Sequence, residues 1–336
     1  MFSMSTYGIS FVDQMSAMRL VKRIDVYTGW LTKFKVDRPL GAVERLERLP
    51  RERIEECSER HCVISLNSTY MDVVDRRYRL RGMVGTTVAT LVCSAMALFG
   101  LWMLIFWVPT ARPDGVYDWR VAAVFLLIFV GQWPLVCWLT FGRDFFSYKY
   151  YPIRFNRRTR MVHAFVGKGE DGVITVPWDD AYFHLGHGQS ERSLRDIRVH
   201  VMDGDIVRRT FAVGHYFDDE RKVREIWEFI RRYMDEGPEQ VIDATAPCRV
   251  HLSVADSWKN CYLTVVISLG EALVPWRWGL MPLLLPLVAC RWLVLKSSKA
   301  PVWPEHVSRE SKIDADDPNI WREPEYVGQF YEGDNF

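Results

Sequence analysis

Cys57, His61 and Cys62 place two sulfur donors and an imidazole close together in sequence, the residue types that bind zinc. A closed zinc site needs four ligands, usually with CxxC-like spacing. No fourth ligand accompanies these three, and they read as the end of a surface helix. His184 and His187 flank Leu185-Gly186. A continuing strand would send their rings to opposite faces, so a strand end with a loop histidine is the plainer reading. Asp179-Asp180 could pair as acids, but such residues at a strand junction usually start a turn. Gly167-Lys168-Gly169 is too short, and lacks the following helix, to cradle a phosphate. With no Ser/His/Asp arrangement either, the chain is expected to have no enzymatic activity, no catalytic residues, no metal and no cofactor.

The remaining cluster is basic: Arg154, Arg157, Arg158 and Arg160. Near an anionic membrane each basic side chain contributes about 1 kcal/mol of attraction, so these four are candidates for contact with lipid or a partner. They also follow an apolar run, where arginine marks the cytoplasmic side of a span. Across 336 residues, 43 Lys and Arg balance 42 Asp and Glu for a formal charge of +1, which argues against a nucleic-acid partner. The near-neutral mean hydropathy averages apolar runs against polar flanks.

Two runs, 82–109 and 121–142, contain no Asp, Glu, Lys, Arg or His. At about 1.5 Å per residue, each can cross a hydrocarbon layer about 30 Å thick. Pro113, Asp114 and Gly115 between them favour a turn, so the two form a transmembrane helical hairpin. Arg76, Arg77, Arg79 and Arg81 precede it, and Arg143, Lys149 and the four arginines above follow it, whereas only Arg112 and Arg120 lie between the spans. That asymmetry places both long flanks and both termini in the cytoplasm. Trp102, Trp107, Tyr117 and Trp119 suit the opposite headgroup level. The first residues lack a basic segment leading into an apolar one, so no cleavable signal is expected. With cytoplasmic flanks, the seven cysteines are expected to be reduced thiols.

Cys261 to Leu269 and Trp278 to Cys290 are each too short to span. Joined, they would bury Glu271 and Arg277, and Pro282 and Pro286 argue against one straight helix. An interfacial or re-entrant element is expected there.

The soluble segments must position whatever the basic cluster contacts. Ala42 to Arg60 favours helix but is interrupted at Pro50, predicting two short helices. Cys62 to Leu66 and Tyr70 to Val74 look like short strands that join the sheet to follow. After the second span the period becomes two. Ile153 and Phe155, then Met161, His163 and Phe165, flank a turn at 156–159. Val173 to Trp178 and Ala181 to Leu185 continue as strands. Runs 197–202 and 206–213 flank Asp203-Gly204-Asp205, a strong hairpin signal. Val223, Ile226, Trp227, Ile230, Tyr233 and Met234 then share one helix face, with Asp218, Asp219 and Glu220 at its start and Gly237-Pro238 after it.

Antiparallel strands closed by one C-terminal amphipathic helix is the order of a pleckstrin-homology-like (PH-like) barrel. Phe155-Asn156-Arg157-Arg158-Thr159-Arg160, Val176-Pro177-Trp178-Asp179-Asp180 and the helix around Trp227 resemble the bacterial PH-like pattern of membrane-tethered proteins. The whole layout also resembles an uncharacterised bacterial two-span membrane-protein family often encoded beside type VI secretion effector genes. Tyr70-Met71-Asp72-Val73-Val74-Asp75-Arg76-Arg77, Val176-Pro177-Trp178 and Pro301-Val302-Trp303-Pro304-Glu305 carry that resemblance. It implies a multi-pass protein of the bacterial inner membrane that protects against, or assists, a co-encoded toxin, and it supplies no catalytic residues.

The expectation is therefore an α+β membrane protein. It comprises a cytoplasmic N-terminal segment (1–81), the transmembrane hairpin (82–142), a PH-like cytoplasmic domain (143–240), an interfacial or re-entrant region (241–299) and an acidic, solvated C-terminal tail (300–336). Its expected partners are membrane lipids and a co-encoded toxin or secretion-system protein. A membrane-tethered lipid- or stress-sensing adaptor is the alternative function.

Overall fold

Alternating apolar residues can bury one face of an extended chain only if its backbone groups find partners, and after Tyr150 they do so in antiparallel strands. The computed structural model describes residues 34–54, 56–107, 119–131, 144–167, 172–187, 194–244, 252–270, 272–321 and 323–329. The chain divides into two units. One lies within Met1–Tyr78, Tyr150–Ser253 and Pro301–Phe336, the other within Arg79–Lys149 and Val254–Ala300.

The described strands are β1 (Arg38–Pro39), β2 (Val63–Leu66), β3 (Tyr70–Val73), β4 (Ile153–Asn156), β5 (Met161–Phe165), β6 (Val173–Pro177), β7 (Tyr182–Gly186), β8 (Arg195–Asp203) and β9 (Ile206–Phe217). The helices are α1 (Ala42–Leu46), α2 (Val84–Trp102), α3 (Trp119–Phe125), α4 (Glu220–Asp235), α5 (Pro238–Ala244), α6 (Trp258–Ser268), α7 (Met281–Ser297) and α8 (Glu305–Glu310). The fold is thus mixed α+β.

In the first unit, one sheet has the order β2-β3-β4-β5-β6 and the other β1-β9-β8-β7, antiparallel throughout. β3 pairs with β4 in the register Asp72↔Arg154 and Val73↔Ile153. The strands before the apolar runs, β2 and β3, therefore share a sheet with β4–β6 after them, as the sequence led us to expect. Gly204, with φ +58°, supplies the left-handed residue that the β8–β9 turn requires.

β6 and β7 are consecutive but belong to different sheets, and the chain crosses between them at Trp178. Asp179-Asp180 makes the turn, with the Asp180 and Ala181 amides donating to Pro177 O at 3.2 and 3.0 Å. The fully buried Trp178 ring lies 6.0 Å from Phe155 on β4, 4.9 Å from Phe183 on β7 and 5.7 Å from Trp227 on α4, centroid to centroid. α4 begins where the Asp219 carboxylate accepts from the Arg221 amide and ends where the Gly237 amide donates to Arg232 O at 2.9 Å. Its apolar face, Val223, Ile226, Trp227, Ile230, Tyr233 and Met234, is buried as expected.

Two expectations fail for physical reasons. The run from Ala42 to Arg60 forms one short helix, α1, and the described residues beyond Pro50 are irregular rather than helical. Their carbonyls accept from α4 instead of closing helical turns: Trp227 Nε1 donates to Pro50 O at 2.7 Å, and Arg232 donates to Ile54 O. Cys62 accordingly ends no helix but is fully buried beside β2. Nor is the C-terminal segment a solvated tail as far as residue 329. Asp317 accepts from the Ser68 amide at 2.8 Å and hydroxyl at 2.6 Å, and the Trp321 amide donates to Leu66 O at 2.9 Å. One of its acidic groups, Asp317, thus closes the β2–β3 turn.

In the second unit, α2 continues in wider turns to Trp107, whereas the second expected span is described only to residue 131. Residues 132–142, and the turn around Asp114, lie outside the described residues. α6 and α7 pack through Cys261, Val265, Leu284 and Val288, with Met83. α7 runs through Pro286 rather than breaking there. Pro282 occupies the first turn, where a missing N–H costs nothing, and packing of Leu284 and Val288 offsets the one bond lost at Pro286. Buried Arg291 donates to Arg81 O at 2.9 Å. Gly82 (φ +66°) permits this approach, since a Cβ there would stand 2.8 Å from Arg291 Cα.

Trp227→Ala should destabilise the protein by about 3–5 kcal/mol, as expected for a buried aromatic leaving a cavity, and Trp227→Phe by clearly less. Thermal unfolding followed by near-ultraviolet circular dichroism measures both. An unchanged midpoint for the alanine variant would contradict this packing.

Candidate functional site

Among the described residues, Thr86–Phe106 is the one helix long and apolar enough to cross a membrane, and only 17% of an 18-residue apolar stretch of it is buried. A core helix of a soluble protein would be mostly covered. Leu98, Phe99, Leu101, Trp102, Ile105 and Phe106 are all at least 49% exposed. Leu127 and Ile128, beyond α3, are likewise 75% and 55% exposed. Surface of this kind is uncommon on a water-facing monomer and marks contact with protein or lipid. Trp276 and Trp278, exposed beside Arg277 in the α6–α7 connection, add aromatic rings of the type that favour a headgroup boundary.

The four predicted arginines lie at the β4–β5 hairpin but serve separate contacts. Arg154 on β4 is buried, and its Nε and Nη2 donate to the two Asp72 carboxylate oxygens on β3 at 2.8 and 2.7 Å. Its guanidinium also sits 3.8 Å from the Tyr70 ring centroid and 4.8 Å from that of Trp303. Tyr70, Asp72 and Trp303, which carry the family resemblance from both ends of the chain, therefore converge on Arg154. Arg157 Nε is buried with no hydrogen-bond partner among the described residues. Arg158 donates to Glu310 O at 3.0 Å, tying the hairpin to α8. Arg160 donates to Asp179 at 2.9 and 3.0 Å and to Asp235 at 3.2 Å. Arg160 and Arg51 together lower the Asp179 pKa to about 2.

A cavity of about 580 Å³ in this unit is lined by Phe34, Tyr151, Phe165, Ile174 and Phe211, with Arg76 among its charged residues. Arg76 is itself held by Asp196 at 2.5 Å. Such a lining offers packing area and fixed charge, the materials of recognition.

The histidines distribute differently from their sequence spacing. His187 Nε2 lies 3.2 Å from Glu47 on the segment after α1, while His184 on β7 faces His200 on β8, ring centroids 4.4 Å apart. Glu44 of α1 reaches His200 Nε2 at 3.2 Å. His200 and Glu44 carry no local motif. The available signal is strand register: His184 opposes Arg198, so His200 is its diagonal neighbour. Burial pushes the Cys57 pKa up to about 12, and Cys62 Sγ accepts from the His215 amide at 3.2 Å.

His163 on β5 gives the first unit an acid-sensitive element. Its ring is 1% exposed, with Nδ1 3.0 Å from the Thr175 hydroxyl. Burial, then the positive charges of Arg154 and His306, lower its pKa to about 4. Glu310, 3.7 Å away but 43% exposed, is too well screened to retain the proton. Because the folded pKa lies below the unfolded one, acid favours unfolding. Stability should fall as pH drops from about 6.5 to about 4, by about 3 kcal/mol in total, and level off below. Burial lowers the His184 pKa in the same direction, to about 3, so in urea titrations His163→Gln should reduce the slope in that window without abolishing it, and an unchanged slope would count against the assignment.

Neither the comparison with curated proteins nor that with solved structures gives a match. The family described as a "family of unknown function (DUF6708)" matches residues 132–315, more than half of the chain. These residues run from the middle of the second apolar run through β4–β9 and α4 to the segment after α8, and the chain belongs to the DUF6708 family.

Proposed function

We propose that this chain is a non-enzymatic, multi-pass protein of the bacterial inner membrane that acts by stoichiometric binding of another protein. Its specific role is that of an immunity or accessory protein of a type VI secretion effector. The observation that carries the membrane reading is the exposed apolar length of Thr86–Phe106. Chain connectivity adds a constraint. The chain leaves β3 at Val73 and re-enters β4 at Ile153, its register partner. A sheet kept on one side of a membrane requires such an excursion to cross an even number of times. One spanning helix therefore demands a return, for which 121–142 is the available run.

The strand pattern supports the PH-like reading of the first unit. β3 to β6 form a four-strand meander, β7 to β9 a three-strand meander, and α4 follows. The transmembrane hairpin is then an insertion between the first two strands of that core. The secretion-linked role rests on the resemblance carried by Tyr70–Arg77, Val176–Trp178 and Pro301–Glu305. Protein binding is favoured over the lipid-sensing alternative because Arg154 and Arg160 spend their charge on Asp72, Asp179 and Asp235.

Two experiments test the reading. In a background lacking native cysteines, an impermeant thiol reagent applied to spheroplasts should label a cysteine at position 114 and spare both termini. The opposite pattern would overturn the orientation. Deleting the gene should sensitise cells to a toxin encoded beside it, and the restored protein should rescue survival and co-purify with that toxin at one-to-one stoichiometry. Undiminished survival against toxin-delivering siblings would reject immunity.

A further inference from the structure

Glu44, His184 and His200 come from α1, β7 and β8, and each offers one ligand atom, all within 4.8 Å of one another. All three are buried, the two histidines to 1% exposure. The second nitrogen of each imidazole is already engaged: His184 Nδ1 lies 3.2 Å from Leu185 O, and His200 Nδ1 lies 2.8 Å from the Thr210 hydroxyl. Contacts of this kind orient metal-bound imidazoles, leaving Nε2 with its lone pair free to coordinate. His184 Nε2 is buried without a hydrogen-bond partner among the described residues. A backbone carbonyl at Nδ1 and nothing at Nε2 is the state of a ligating imidazole awaiting its cation.

The geometry points to a site for one divalent transition-metal ion, Zn²⁺ in the first instance, held by Glu44, His184 and His200. Two imidazoles and a carboxylate suit zinc, whose nitrogen ligands lie at about 2.0–2.1 Å and therefore about 3.3 Å from one another in a tetrahedron. Glu44 Oε1 and His200 Nε2 already stand 3.2 Å apart. The closure needed falls on His184.

Arg38 is the competitor. Its Nη1 and Nη2 donate to the two Glu44 oxygens at 2.7 and 2.5 Å, and the Gly41 amide donates to Oε2 at 2.8 Å. The guanidinium thus supplies the positive charge that a metal would bring. With its side chain 30% exposed on the two-residue strand β1, Arg38 can swing towards solvent and release Oε1. The Thr210 hydroxyl accommodates the exchange because it can accept from His200 Nδ1 as readily as donate to it. Arg198, another cation near His184, is engaged by Asp196 at 3.0 Å, and Arg48, which pairs with His184 through the backbone, holds its guanidinium 5.2 Å from the Tyr182 ring centroid.

The test uses the untagged full-length protein in detergent, stripped with a chelator and titrated with Zn²⁺ alone. One ion per chain should bind, and X-ray absorption of the loaded wild type should give two imidazole nitrogens at about 2.0–2.1 Å. H184Q should weaken binding at least about tenfold. R38Q, which removes the competing charge, should tighten it by about tenfold or more, a gain that no purely structural role for these residues predicts. Fewer than two imidazoles in the wild-type spectrum would overturn the site even if H184Q fails to fold. Unchanged affinity in a folded H184Q, or no tightening in R38Q, would do the same.

Discussion

The first unit depends on burying Trp178 at the point where the chain leaves one sheet for the other. β6 and β7 do not pair, so no ladder joins the two meanders across that crossing. The indole joins them instead, touching Phe155 of the first sheet, Phe183 of the second and Trp227 of the helix that covers both. A buried indole must also satisfy its N–H, and Nε1 donates to Asp235 at 3.0 Å, at the end of α4. The same carboxylate takes Arg160, whose other partner, Asp179, follows Trp178 directly. Helix, crossover and β4–β5 hairpin are thereby fixed by one set of contacts, and removing the Asp235 carboxylate would leave the buried Trp178 N–H unpaired.

Buried charge does a second task, which is to specify register. Arg154–Asp72 and Arg76–Asp196 are nearly inaccessible to water, and burying such pairs costs about as much as their attraction returns. Their contribution is therefore selective. A one-residue slip between β3 and β4 would turn Asp72 to the other face and strand Arg154 without a partner. This matters most where the paired strands are distant in sequence, and there local turn chemistry cannot set the alignment.

Where structure is decided locally, the sequence reveals it. The β4–β5 and β8–β9 hairpins follow from period-two alternation and an Asp-Gly turn, and α4 follows from its apolar face and its Asp219 cap. The misreadings fall where distant groups decide. Residues after Pro50 have helix-favouring composition, but Trp227 and Arg232 claim their carbonyls. The acidic C-terminal segment has the composition of a solvated tail, yet Asp317 completes a turn at Ser68. The basic cluster is visible as a cluster, but the carboxylates that absorb Arg154 and Arg160 come from three other segments. His184 near the end of β7 with His187 in the loop after it is legible from spacing, but the neighbour His200 is not, because strand register sets it.

The insertion between β3 and β4 poses an entropic problem that the proposed hairpin resolves. Some 80 residues separate Val73 from its partner Ile153, and closing a flexible loop of that length costs about 4 kcal/mol on the logarithmic scaling of chain entropy. Two antiparallel helices packing at about 8–10 Å would hold the ends of such an excursion far closer together than a flexible chain of that length does. Partition of apolar helices into lipid would then supply the closure that the short β3–β4 ladder cannot supply by itself. On the proposed membrane reading such a hairpin would be more than an anchor: it would favour the pairing of β3 with β4, whose alignment Asp72 and Arg154 then lock.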